Sequence, residues 1–362
     1  MPATTPNLDL TLPSVELTCA VCNVESVSGN ETALADAIEA ALRTCGHLDV
    51  IRDGDAIVAR TNLGRAQRVI IAGHIDTVPV NGSLPCVLEQ RDGAEWMIGR
   101  GTVDMKGGIA VALKLAAELT APAYDVTWIF YDHEEVDASL NGLGRLARTR
   151  PELLVADFAI LGEPSDGVVE GGCNGTIRVD VHATGVRAHS ARAWKGENAI
   201  HKLAGALELL SSYQPRTVTV DGLDYRESLS AVGITGGVAG NVIPDAASIH
   251  VNYRFAPNQN SEQAIAHLRE IFTGYELTVA DQSEGARPGL DAAIAQNFVA
   301  AVGGEPQPKY GWTDVARFAA LGIPAVNFGP GDPSLAHMDD ERVLTSQITE
   351  CERALRAWLT AQ

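Results

Sequence analysis

The sequence predicts an α/β protein: a mixed, mainly parallel sheet with helices on both faces, interrupted by an inserted α+β domain of ferredoxin-like order. Three observations predict it. From about residue 14 to 172, helical periods alternate with short continuous apolar runs, which is how strands covered on both faces read. After Gly171-Gly172 the period becomes strictly two, with Ile177, Val179, Val181 and Ala183 set between Thr176, Arg178, Asp180 and His182, as in a sheet with one wet face. Beyond a glycine- and proline-bearing stretch at 282–289, helix, strand and helix return. The expected division is therefore 1–173 for the first part of the large domain, 174–285 for the insertion, and 286–362 for the rest.

Taken in order, the large domain opens with a helical pattern at 14–18 and a second helix over 32–44. A buried strand follows at 69–72, then a helix at 108–119, a strand at 126–131, a helix at 142–148 and a strand at 158–161. The insertion reads as a strand over 176–183, a helix near 199–213, strands near 228–235 and 247–255, a helix near 262–272 and a strand near 275–280. That succession, β-α-β-β-α-β, is the split βαβ arrangement. A last strand is expected at 325–328 between two helices.

Hydrophobic residues make up 46% of the chain and charged residues 20%, so a large core is available and disorder is excluded. Acidic residues outnumber basic ones 46 to 27, and no Lys/Arg cluster stands out, which argues against a nucleic acid partner. The net charge of -19 reads as a solubility feature. No basic n-region or apolar h-region begins the chain and no run reaches membrane-spanning length, so a cytoplasmic protein without a membrane partner is expected. Six cysteines are too sparse for a disulfide scaffold, and Cys19 and Cys22 read as packed thiols within a helix.

Candidate chemistry collects at the ends of the apolar strands, where ligand sites of open α/β sheets lie. Gly73-His74-Ile75-Asp76 follows the first, Asp132-His133-Glu134-Glu135 the second and Gly162-Glu163 the third. His74 and Asp76, two apart, point to one side, and a carboxylate so placed is a candidate to hold a metal-ligating imidazole. Asp104 sits in the glycine-rich loop Gly99-Arg100-Gly101-Thr102-Val103-Asp104 before a helix. Adjacent Glu134 and Glu135 face different ways along an extended chain, which suits one as metal ligand and the other as general base. Asn327-Phe328-Gly329-Pro330-Gly331-Asp332 leads to His337 and Asp339 after the last strand. Gly142-Leu143-Gly144-Arg145-Leu146-Ala147 matches a dinucleotide fingerprint, but its glycines close no strand, so that reading is set aside. The pattern as a whole points to a polynuclear metal site.

Together these segments resemble the dinuclear zinc aminoacylase and carboxypeptidase family of metallopeptidases, from the first helix to the C-terminus. The resemblance implies five metal ligands: His74, Asp104, Glu135, Glu163 and His337. Asp104 would bridge two ions, one also taking His74 and Glu163, the other Glu135 and His337. It further implies Glu134 as general base, with Asp76 behind the first ligand. In the insertion it implies that His189 reaches across a dimer to bind the scissile carbonyl, and that Asn241 and Arg254 bind a substrate carboxylate. Arg178, Thr313 and Asp314 are further candidates for substrate contact. Two divalent ions are implied, zinc by default, with cobalt or manganese compatible with so carboxylate-rich a set. The insertion is then a lid and dimerisation domain, and the partners are an N-acyl amino acid and a second copy of the chain.

Within that family the closer likeness is to the actinobacterial-type desuccinylases of N-succinyl-LL-2,6-diaminopimelate, in lysine and cell-wall precursor biosynthesis. It rests on Tyr131-Asp132-His133-Glu134-Glu135-Val136, Asn141-Gly142-Leu143-Gly144-Arg145-Leu146 and Gly311-Trp312-Thr313-Asp314-Val315-Ala316-Arg317-Phe318. Val136 and His133 depart from the wider family and mark this subgroup. The alternatives are an acetylornithine deacetylase or carboxypeptidase-like hydrolase, and, from another class, a metal-holding binding protein without turnover.

Overall fold

A computed structural model describes residues 6–361, and the chain divides into two compact units. The larger comprises Met1–Gly171, Gly289–Gln307 and Thr313–Gln362, and the smaller comprises Gly172–Pro288 and Pro308–Trp312.

The larger unit is built on an eight-stranded sheet. Its order is Asp49–Asp53, Ala56–Arg60, Asp125–Tyr131, Arg68–His74, Phe158–Leu161, Ala325–Asn327, Glu170–Gly171 and Gln307–Pro308. The four central strands, from Asp125–Tyr131 to Ala325–Asn327, pair in parallel, and the strands flanking them are antiparallel. All four therefore end on the same edge. Apart from the half-buried Arg68, those strands are buried, which explains their unbroken apolar runs. Helices Ser14–Cys22, Lys106–Glu118 and Thr345–Thr360 share one core with Val69, Ile71, Trp128, Phe158 and Phe298.

Two hairpins of this unit went unpredicted. Asp49–Asp53 pairs with Ala56–Arg60, and Val87–Arg91 pairs with Ala94–Ile98, which also pairs with Arg342–Leu344. Val87–Arg91 lies almost wholly exposed, so no buried apolar run marks it. The usable signal is the turn: Asp92 and Gly93 both have positive φ, 53° and 80°, as an Asp-Gly hairpin turn requires.

The smaller unit holds a four-stranded antiparallel sheet in the order Ser228–Gly236, Ala246–Phe255, Gly175–Thr184, Glu276–Ser283. Numbered along the chain this is 2-3-1-4, the ferredoxin-like order. Ile177, Val179, Val181, Ile249, Val251 and Phe255 face helices Ala204–Ser212 and Ser261–Ile271, and the opposite face carries polar side chains. The helix expected over 199–213 is two, Ala199–Lys202 and Ala204–Ser212. The stretch expected to be a linker from 282 still belongs to the last strand at Gln282 and Ser283. A further hairpin, Thr217–Val220 with Leu223–Arg226, turns at Asp221-Gly222, again with positive φ at both. Among the described residues no helix is long and apolar enough to cross a membrane.

Candidate metal centre

Parallel pairing delivers the chemistry to one edge. Hydrogen bonds continue past the strand ends: Ile75 N donates to Tyr131 O at 2.8 Å, Gly162 N to Ala72 O at 2.9 Å, and Phe328 N to Leu161 O at 2.8 Å. His74, the Glu134-Glu135 pair and Glu163 thus rise from neighbouring strands. Asp104 joins them from the turn before Lys106–Glu118. There Gly108 packs on the backbone of Gly162 so closely that a Cβ would collide with its carbonyl oxygen. This helix can therefore approach the Glu163 strand only with glycine at that position.

Three sets of potential ligand atoms each lie within 4.8 Å: His74 with Asp104 and Glu163, Asp104 with Glu135 and His337, and His74 with Glu134 and Glu135. Asp104 belongs to two sets, and its two oxygens divide between them. Oδ1 is 3.1 Å from His74 Nε2, and Oδ2 is 3.4 Å from His337 Nε2, which lies 2.8 Å from Glu135 Oε1. His337 itself sits in the left-handed region, φ 64°, uncommon for a residue with a side chain.

The electrostatics calls for cations. Burial disfavours a charged His74, yet Asp104 and Asp76 hold its pKa well above 6.5. Hydrogen bonds to Asp104 and Glu135 raise His337 to about 10. Burial, opposed by the His74 charge but reinforced by Glu163, Asp314 and Glu135, holds Glu134 well above the usual carboxyl range. All three shifts follow from carboxylates crowded in a buried site, and bound divalent ions would offset the same charge. Nitrogen and oxygen donors in this number fit a pair of divalent ions.

Asp76 does more than hold a ring. His74 Nδ1 lies 3.0 Å from the Asp76 backbone carbonyl, whereas the carboxylate is 3.5 Å away. That carboxylate instead accepts the N–H groups of Glu134 and Glu135, each at 3.0 Å, and the Ser28 hydroxyl at 2.7 Å. Burial works against its charge, but His74, the Glu134 N–H and Ser28 lower its pKa to about 2. Asp76 is thus a clamp on the turn that presents both glutamates.

Arg100 and Glu341 escaped the sequence reading. They form a buried pair at 2.7 Å, 2% and 1% exposed. Glu341 also accepts the N–H groups of Val103 and Asp104, at 3.0 and 3.1 Å. Arg100 donates further to Pro79 O at 3.0 Å and Met338 O at 3.1 Å. The pair ties the segment carrying Asp104 to the one carrying His337. The available signal was Arg100 inside the glycine loop and Glu341 four residues after His337, where attention fell on Asp339, an exposed residue.

The remaining candidates are distributed as follows. In the smaller unit, the two-residue ladder of Ala188–His189 with Val242–Ile243 brings His189 beside Asn241, whose carbonyl accepts Ser190 N at 2.9 Å. His189 Nδ1 accepts Ala191 N at 3.0 Å, so the neutral ring keeps its proton on Nε2. Arg254 and Arg178 share the polar face of the sheet, where Arg254 Nε donates to Asn252 at 3.1 Å. Burial and the neighbouring Arg178 charge lower the Arg254 pKa. In the larger unit, Thr313 and Asp314 lie in the framework: Thr313 donates to Asn327 at 2.9 Å, and fully buried Asp314 accepts from Asn141 at 2.9 Å and from Arg317. Gly142 and Gly144 allow close packing against Asp132 and Arg317, and Asn141 caps their helix through Gly144 N. That packing accounts for both glycines.

Residues 70–361 match the family described as Peptidase family M20/M25/M40. A Mycobacterium tuberculosis (strain H37Rv) protein bearing a provisional succinyl-diaminopimelate desuccinylase name is 52% identical over 97% of this chain and 99% of its own. The succinyl-diaminopimelate desuccinylase of Corynebacterium glutamicum is 47% identical over 98% of each. Among solved structures, a tripeptidase from Staphylococcus aureus superposes with a TM-score of 0.78 at 20% identity, covering 97% of this chain and 98% of that one. The last of these speaks for the fold alone.

Proposed function

We propose, from the premise that this chain belongs to peptidase family M20/M25/M40 and is a metal-dependent amidohydrolase, that it hydrolyses N-succinyl-LL-2,6-diaminopimelate to succinate and LL-2,6-diaminopimelate. The observation that carries the hydrolytic reading is the sharing of Asp104 between two sets of ligand atoms. Identity of 47–52% across nearly the whole chain to relatives named for desuccinylation supports the substrate.

In this reading His74, Asp104 and Glu163 would hold one ion, and Asp104, Glu135 and His337 would hold the other. Two divalent ions so held would polarise the amide carbonyl and bring the pKa of a water towards about 7. Glu134 takes the proton of the attacking water on its carboxylate and returns it to the leaving nitrogen. Asp76 keeps Glu134 at its station through the backbone. His189, reaching across the proposed dimer, would offer its Nε2 proton to the carbonyl oxygen as negative charge develops there. Asn241, Arg254 and Arg178 bind substrate carboxylate, whereas Thr313 and Asp314 support from beneath.

A homodimer belongs to the same proposal. Ser228–Gly236 is an edge strand with Val232 and Ile234 66% and 53% exposed, and Leu207 and Leu209 are exposed on the helix beside it. A bare apolar edge of this kind invites a second copy. The cytoplasm is the compartment we propose.

The test is a parallel assay of N-succinyl-LL-diaminopimelate and N-acetylornithine with the protein stripped of metal and then given zinc. Zinc-dependent succinate release with little deacetylation is expected. Preference for the acetyl substrate would reject the substrate and keep the mechanism, and turnover of neither would reject both.

A further inference from the structure

The C-x-x-C pair is not the thiol pair that the fold makes. Cys22 is fully buried at the end of helix Ser14–Cys22, its thiol pushed up to about 12 by burial. Cys19, half-exposed on the same helix, meets a cysteine 67 positions away: Cys19 Sγ and Cys86 Sγ are 2.7 Å apart. A short network fixes this approach. Asn23 accepts Cys86 N at 2.8 Å and donates to Cys19 Sγ at 3.5 Å, so one amide sets both ends. Cys86 also presses on Gly99, where a side chain would find no room. The chain is thus held on three sides with its two sulfurs facing each other.

We propose that Cys19 and Cys86 are a modification site, a thiol pair that peroxide converts reversibly into a disulfide. Cys19, the more accessible sulfur, is oxidised first: hydrogen peroxide transfers one oxygen to it, giving a sulfenic acid and one water. Burial and the neighbouring Cys19 push the Cys86 thiol up, so it attacks that sulfur as the thiol, and its proton passes to the departing hydroxide to form a second water. Two electrons leave the two sulfurs and reduce one peroxide. The sulfurs need to close only from 2.7 Å to about 2.05 Å. A dithiol reverses the step by exchange.

The bond would anchor the first helix beside the candidate metal centre. The chain leaving that helix runs on to Val24, whose carbonyl accepts Lys106 Nζ at 2.8 Å, and to Ser28, which donates to Asp76. On the other side, Gly99 donates to Glu341 O at 2.9 Å. The crosslink thereby joins two supports of the ligand segments across a long loop, and such closure restricts the unfolded chain.

The experiment uses the full chain treated with hydrogen peroxide, alkylated, and mapped by mass spectrometry without reduction. Expected are a Cys19–Cys86 linked peptide, a fall from six titratable thiols to four in denaturant, and a melting temperature raised by several degrees. Dithiothreitol should restore all three. A thiol count that stays at six, a Cys19–Cys22 link, or irreversible over-oxidation of Cys19 alone would each overturn the proposal. In Cys86→Ser, Cys19 should stop at the sulfenic acid and be trapped by dimedone, with no gain in melting temperature. A gain in that variant would also overturn it, and the wild-type peptide map decides should the variant not fold.

Discussion

The proposed mechanism sets the Glu134 carboxylate apart from the five ligands, and the contact with Asp76 is through the Glu134 backbone. Glu134→Gln should keep the turn and the metal content of the parent while kcat falls by about 10²–10⁴ or more. Metal analysis beside steady-state kinetics checks this; loss of metal with activity would make Glu134 a ligand. Glu341 makes the opposite prediction. Its removal frees the N–H groups of Val103 and Asp104 and leaves Arg100 buried without its carboxylate. Glu341→Ala should cost about 3–5 kcal/mol of stability and weaken metal binding by about 10–100-fold. Calorimetric titration and thermal melts of the metal-free variant measure both. An Arg100→Met, Glu341→Leu pair should recover stability without recovering metal affinity.

Among the elements, the strand Asp125–Tyr131 begins with a carboxylate that organises the chain before it. Asp125 accepts Leu63 N at 2.6 Å and Arg65 N at 2.9 Å, fastening the turn that enters the central strand Arg68–His74. Burial opposes its charge, but these N–H groups and nearby Arg68 prevail and lower its pKa. A carboxyl depressed on folding contributes stability fully above its unfolded value, near pH 4, and loses it as pH falls through the folded value. Asp125→Asn should therefore cost about 1–2 kcal/mol at pH 7, with the gap to the parent narrowing below about pH 4 in denaturant melts. Buried strands were legible because both faces are covered, so Val69 to Ala72 and Val126 to Tyr131 stand out as apolar runs. The hairpins were not, since Val87–Arg91 has water on nearly every side chain and only Asp92-Gly93 betrays the turn. At the site, residue type and strand-end position pointed to His74, Glu135 and Glu163. Arg100 and Glu341 stayed hidden because their importance lies in a contact across 241 positions that no local pattern encodes.

At the scale of the whole molecule, a net charge of -19 opposes an anionic substrate, so in the proposed reading capture would depend on local cations such as Arg178 and Arg254. The proposed dimer predicts that a charge in the exposed apolar strip breaks assembly. Ile234→Asp should lower the mass by light scattering from twice the chain mass to 38.2 kDa with the melting curve of the larger unit preserved. An unchanged mass would place the interface elsewhere. Asp104 and His337 carry a different consequence. The ligand atoms that converge within 4.8 Å come from positions 74 to 337, with the whole smaller unit strung between Glu163 and His337. During synthesis the first four of the proposed ligands leave the ribosome long before the fifth, so a second ion held as proposed would lack its complete cage until the insertion has emerged and the chain has returned. On that reading, tight uptake of the second ion would be a late event in the life of each molecule and would report that the returning segment has docked.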